Sequence, residues 1–151
     1  MLQPDQPQPQ SRKPLIIGSL NLVFAAIYLL LAINAANGME DVVSRVPSSY
    51  RSPMSTANFL DIAADGIGCV GLLIAGILLL QKRASGRTLT RTVARILTAA
   101  IVILPAYTLI AFGGAAGSIL IQLVLGLLLR FIYPIIAARQ LAPPPAELGL
   151  T

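Results

Sequence analysis

Histidine and tryptophan are absent from this chain, and cysteine occurs once, as Cys69. Without a second cysteine no disulfide framework can form, and without histidine a Cys/His metal site within one chain is excluded. A Ser-His-Asp triad is excluded for the same reason. No glycine-rich phosphate loop leads to Lys-Ser or Lys-Thr. Charge is scarce as well. Charged residues make up 11 % of the chain, against about 25 % in a soluble domain. Acids number only six against eleven Lys and Arg, a net charge of +5.

What fills the sequence instead is aliphatic. The apolar fraction is 56 % and the mean hydropathy +0.79. A chain of 151 residues with so little charge finds most of its solvent in lipid. The basic excess is therefore read as topology. No aromatic-plus-basic motif accompanies it, so nucleic acid is not an expected partner.

Four apolar segments are expected to be transmembrane helices, at about 15–36, 57–80, 93–112 and 118–138. Each holds about 20 residues, enough for a hydrocarbon core of roughly 30 Å. In lipid a helix satisfies its own backbone. The fold class expected is all-α, a four-helix transmembrane bundle over 15–138. Residues 1–14, with Pro4, Pro7, Pro9 and Pro14, are expected to be a disordered tail. Residues 139–151, with Pro143 to Pro145, form a second flexible tail. Gly113 to Gly117 should make a tight hairpin between helices 3 and 4. The first segment exceeds the usual apolar core of a signal peptide and is expected to be retained.

The basic residues alternate sides. Arg12 and Lys13 precede helix 1 and Arg139 follows helix 4, while Lys82, Arg83, Arg87, Arg91 and Arg95 fill the stretch between helices 2 and 3. The charges of the 37–55 loop balance, and the Gly113–Gly117 hairpin has none. The positive-inside rule then predicts both termini in the cytoplasm, N-in and C-in. The five central basic residues are expected to face anionic headgroups. Gly86 argues against helix before Thr88. Arginine outnumbers lysine nine to two, a bias that fits a GC-rich bacterial genome and an inner membrane location.

Small residues mark helix contacts in lipid. Gly18, Asn21, Ala25, Tyr28, Ala32 and Ala35 lie on one stripe of helix 1, and Asp61, Ala64, Gly68, Gly71 and Ala75 on one stripe of helix 2. Pro105 should kink helix 3 and free the Ile101 carbonyl.

Acids inside a membrane segment are functional candidates. Asp61 and Asp65 are four apart and share a face of helix 2. Counted from Leu80, Asp65 stands roughly 22 Å above the inner edge and Asp61 roughly 28 Å. The same count brings Tyr107 to about 22 Å, Gln122 to about 24 Å and Asn34 to about 28 Å. These five form a candidate polar cluster. Arg130, at about 12 Å, falls some 10 Å short of Asp65 in depth and is expected to snorkel toward cytoplasmic phosphates, the alternative being that its length lets it reach inward and pair through water.

The DIAADG stretch, Asp61 to Gly66, resembles the paired-aspartate signature of membrane CDP-alcohol phosphotransferases only in holding two acids. Three residues separate the acids, no Ala-Arg pair follows, and no second aspartate pair appears. Small four-helix exporters carry their essential acid in the first helix, where this chain has none. The sequence reading is therefore a non-enzymatic membrane protein without cofactor or metal. It is expected to be a structural, interaction or accessory subunit, partnered by a copy of itself or another membrane protein. The alternative is a small proton- or cation-coupled transporter or channel using Asp65.

Overall fold

The computed structural model describes residues 12–113, 130 and 132–143. Three long helices follow one another: α1 Lys13–Ser44, α2 Ser48–Leu80 and α3 Ala84–Phe112. A C-terminal helical segment covers 132–140, and Arg130 is helical too. The described part is all-helical. Gln122, the 114–117 hairpin, most of the 118–138 segment and the outer parts of both tails lie outside the described residues.

α1, α2 and α3 are each long and apolar enough to cross a membrane, the pattern of a membrane protein. Their outward faces are aliphatic: Leu30, Val102 and Ile110 are among the most exposed side chains. In water such a surface would be a liability, and in lipid it is the expected solvent contact.

The helices outrun the apolar segments. α1 has 32 residues and α2 has 33, near 48 Å each, against a core of roughly 30 Å. Most of the expected 37–55 loop is helix. The reason is local. Only Gly38 interrupts the residues before Pro47, and a polar helix still bonds its own backbone after leaving lipid. The turn is left to Arg45, Val46 and Pro47.

At the other end, Gln81, Lys82 and Arg83 join α2 to α3. The Arg83 N–H donates to Leu78 O at 2.9 Å and the Lys82 N–H to Leu79 O at 3.0 Å. This is a Schellman cap. It places Lys82 at φ 58°, the position glycine usually takes. α3 then starts earlier than expected, and Gly86 lies inside its first turns. A Cβ on Gly86 would come 2.8 Å from the Leu79 backbone nitrogen. The glycine permits the sharp return of α3 against the end of α2.

α2 packs against both α1 and α3. α1 and α2 come close glycine on glycine, since a Cβ on Gly76 would meet Gly18 O at 2.9 Å. Gly71 likewise leaves room for Val93. A central cluster of Ala25, Tyr28, Ala64, Leu72, Val93, Leu97 and Leu104 joins the three helices. A second cluster of Ile17, Leu79, Ala137 and Leu141 docks the C-terminal segment at the basic end. Pro105 lies inside α3, whose helix continues to Phe112.

Candidate functional site

Asp61 and Asp65 stand one turn apart on α2, on the face that also carries Ala64 and Gly68. Asp65 is 0 % exposed. Asp61 keeps 22 % of its side-chain surface in contact with the surroundings. Their shared partner is Arg130. Its Nη1 donates to both Asp61 oxygens, at 2.8 Å to Oδ1 and 2.9 Å to Oδ2. The same nitrogen lies 3.5 Å from Asp65 Oδ2. That contact is an ion pair without a hydrogen bond, and among the described residues neither Asp65 oxygen receives one.

Tyr28 holds the arginine from behind. Its hydroxyl donates to the Arg130 carbonyl at 2.7 Å. Its ring lies flat over Gly68, where a Cβ would come within 3.1 Å of it. The spacing that marked Gly68 and Tyr28 as seam residues thus makes a seat for an aromatic ring, and the ring in turn fixes the backbone that bears the guanidinium.

The expectation that Arg130 snorkels away from the aspartates is overturned. Counting residues gave the depth of the backbone, not of the charge. Ala137 and Leu141 pack beside Leu79, so the chain direction from Ala137 back to Arg130 leads toward the aspartates. Helical side chains lean toward the N-terminal end of their helix, and arginine is long enough to cover the remaining difference. Charge also favours this fate, because a buried carboxylate needs a cation beside it.

Of the other expected members, Tyr107 donates to Pro53 O at 3.4 Å and makes no hydrogen bond to either carboxylate. Asn34 is exposed on α1. Gln122 lies outside the described residues. The structure therefore brings together Asp61 and Asp65 and adds Arg130 and Tyr28. Arg130 is the residue whose charge could have revealed the site, because a cation so far inside an apolar segment needs an anionic partner.

A second polar chain lies about two turns along α1 from Tyr28. Tyr133 donates to Asn21 Oδ1 at 2.8 Å, with Ile17 O at 3.2 Å. Asn21 Nδ2 donates to Thr90 Oγ1 at 3.2 Å, and Thr90 donates to Gly86 O at 2.9 Å. Tyr133 also stacks on Phe24, with centroids 3.8 Å apart. This chain ties α1, α3 and the C-terminal segment through groups that all find partners.

Of the basic residues expected at the headgroups, Lys82 and Arg83 are exposed in the α2–α3 turn. Arg87 is turned inward to the protein. It donates to Leu141 O at 2.7 Å and Ala142 O at 2.9 Å, and so clasps the end of the C-terminal segment. Arg91 and Arg95 face that segment across a cleft.

Chemically, one guanidinium against two carboxylates carries a net charge of −1 when all are ionised, and none when Asp65 holds a proton. Arg130 already occupies the place beside Asp61 that a free cation would take. Among the described residues no group of three or more acids and cysteines could hold a metal ion. No protein-family model matches the chain, and no curated protein or solved structure is similar to it.

Proposed function

We propose that this is a structural or accessory subunit of a membrane, not an enzyme, in which the Asp61–Asp65–Arg130–Tyr28 cluster sets how the C-terminal helix docks on α1 and α2. The basic end of the bundle faces the cytoplasm, with both termini there, and the host membrane is a bacterial inner membrane. The partner is a second copy or another membrane protein.

One observation carries the reading. A single arginine nitrogen satisfies Asp61 and faces Asp65, while the backbone of that arginine is held by Tyr28. Polar groups arranged to satisfy one another across helices specify register and docking. The Asn21–Tyr133–Thr90 chain does the same two turns away.

A second reading has one observation in its favour. Asp65 is fully buried and its oxygens accept no hydrogen bond among the described residues, which leaves them able to accept a proton. In that reading Asp65 is the carrier of a proton-coupled transporter, and Arg130 swings between the two acids.

Flux and stability measured on the same proteins separate the two. Purified wild type, Asp65→Asn and Arg130→Gln are reconstituted in liposomes and also unfolded in detergent. The structural reading expects proton and cation flux no greater than in empty liposomes, and reduced stability in Arg130→Gln. Proton flux in wild type that is lost in folded Asp65→Asn would overturn it in favour of the carrier.

A further inference from the structure

Between α3 and the C-terminal helical segment lies a cleft of about 360 Å³, within the range of small-ligand sites. Three arginines line it, Arg91 and Arg95 from α3 and Arg139 from the C-terminal segment. Ala94, Ile135 and Ala138 supply an apolar wall. From Arg91 to Thr98 the cleft runs about 10 Å along α3. The guanidiniums alternate with small and aliphatic side chains along both walls, and Thr98 and Ile135 line the part toward the middle of the bundle.

None of the three guanidiniums has a hydrogen bond or ion pair among the described residues. Among the described residues no acid lines the cleft. Arg87, one turn before Arg91, is already committed to the Leu141 and Ala142 carbonyls. That clasp holds the C-terminal segment in place as the opposite wall. Three cations and an apolar wall lining one cleft suit a molecule with an anionic head and a hydrocarbon tail.

We propose that this cleft is a binding site for one anionic phospholipid, its phosphate held by Arg91, Arg95 and Arg139 and one acyl chain laid against Ala94, Ile135 and Ala138. Guanidinium suits phosphate oxygens because its planar fork can donate two bonds at once. General attraction of basic residues to an anionic surface would treat Arg83 and Arg95 alike. A built site does not. The proposal rests on the chain lying in a bilayer, and not on the role of the Asp61–Arg130 cluster.

The test is lipid retention by the purified full chain in detergent micelles, read by native mass spectrometry during titration with phosphatidylglycerol, phosphatidylcholine or inorganic phosphate. Phosphatidylglycerol should be retained at one per chain, at least tenfold more tightly than phosphatidylcholine. Inorganic phosphate should not compete at millimolar concentration, because it lacks the chain that fills the cleft. Arg95→Gln should weaken retention by about fivefold or more, the effect of one basic contact, and Arg83→Gln should leave it unchanged. Ala138→Phe, which fills the cleft without altering charge, should also weaken it, and circular dichroism would confirm its helicity. Equal retention of the two lipids would overturn the proposal, as would equal losses in Arg83→Gln and Arg95→Gln, full retention in folded Ala138→Phe, or displacement by phosphate alone. Flux through the protein would bear on the role of Asp65 and leave this outcome unchanged.

Discussion

Nη1 of Arg130 lies 2.8 Å and 2.9 Å from the two carboxylate oxygens of Asp61, a residue 69 positions earlier in the chain. The pair is three-quarters buried, so each charge depends on the other for much of what water would provide. Losing the cation should therefore cost more than losing this acid. Arg130→Gln strands Asp65 without any charge partner and should destabilise by about 3 kcal/mol, the lower end for a broken buried pair because some exposure remains. Asp61→Asn leaves Arg130 beside Asp65 and should cost about 1 kcal/mol. Unfolding in mixed detergent–SDS micelles reads both. Equal costs would mean that Asp65 does not depend on Arg130.

Asp65 sits 3.5 Å from the same nitrogen and accepts no hydrogen bond among the described residues. Removing its charge along with that of Arg130 should restore part of the loss. The double variant Asp65→Asn/Arg130→Gln is expected to be more stable than Arg130→Gln alone by about 1 kcal/mol or more, because no unpaired buried charge remains at position 65. The same unfolding series measures the coupling. Strict additivity of the two single variants would show that Asp65 and Arg130 act independently.

Gly76 and Gly66 lie on the same helix and face different surroundings. A Cβ at Gly76 would meet the Gly18 carbonyl oxygen at 2.9 Å, whereas one at Gly66 meets nothing within 4 Å. Backbone cannot rotate aside as a side chain can. Gly76→Val should cost at least about 2 kcal/mol. Gly66→Ala should be neutral or gain up to about 1 kcal/mol through helix propensity. Melting temperatures of the two variants decide it, and a stable Gly76→Val would mean that α1 and α2 are free to move apart.

The seams of α1 and α2 were legible because they are local. Gly18, Asn21, Ala25 and Tyr28 alternate by three and four, and all four are buried. On α2 Ala64, Gly68 and Ala75 of the stripe are buried, while Ala32 and Ala35 on α1 and Asp61 and Gly71 on α2 are only half-buried. Asp65 was also legible as the deeper acid. Its partner was not. The Arg130–Asp61 and Tyr28–Arg130 contacts join residues 69 and 102 positions apart, and their geometry depends on side-chain length and lean, which a count of residues along the axis leaves out. Tyr107 shows the converse. Its counted depth matched Asp65, yet its hydroxyl faces Pro53, because depth says nothing about which way a helix face turns. The helices extend beyond their apolar segments at 37–44, 48–56 and 84–92, because polarity does not distinguish a loop from a solvated helix, and residues outside lipid stay helical until a residue such as Pro47 stops them.

Asn21 anchors the second polar chain with both ends of its amide in use, accepting from Tyr133 and donating to Thr90. Tyr133→Phe removes one bond and leaves the amide oxygen without its donor, and should cost about 1 kcal/mol. Asn21→Leu removes both bonds and adds a branched side chain at a fully buried position, and should cost more. Unfolding compared with wild type measures each, and a cost-free Tyr133→Phe would remove the C-terminal segment from this network.

The orientation of the bundle can be read from two serines near opposite ends of α2, Ser49 at its start and Ser85 just past its end at the start of α3. Ser49 is exposed beside the α1–α2 turn, and Ser85 is exposed beside the basic α2–α3 turn. The turns are separated by the length of α2, so they emerge on opposite sides of any membrane the helix crosses. Replacing Cys69 by Ala leaves a background without thiols, on which Ser49→Cys and Ser85→Cys are made separately. Four basic residues, Lys82, Arg83, Arg87 and Arg91, surround Ser85 without a compensating acid, whereas Arg45 near Ser49 is paired with Asp41 at 2.7 Å. The positive-inside rule then sends Ser85 to the cytoplasm. In intact bacterial spheroplasts a membrane-impermeant maleimide should label Ser49→Cys at once and Ser85→Cys only after the membrane is opened. The reverse pattern would place the arginine cleft on the outer face, where the basic bias has no electrostatic reason to be.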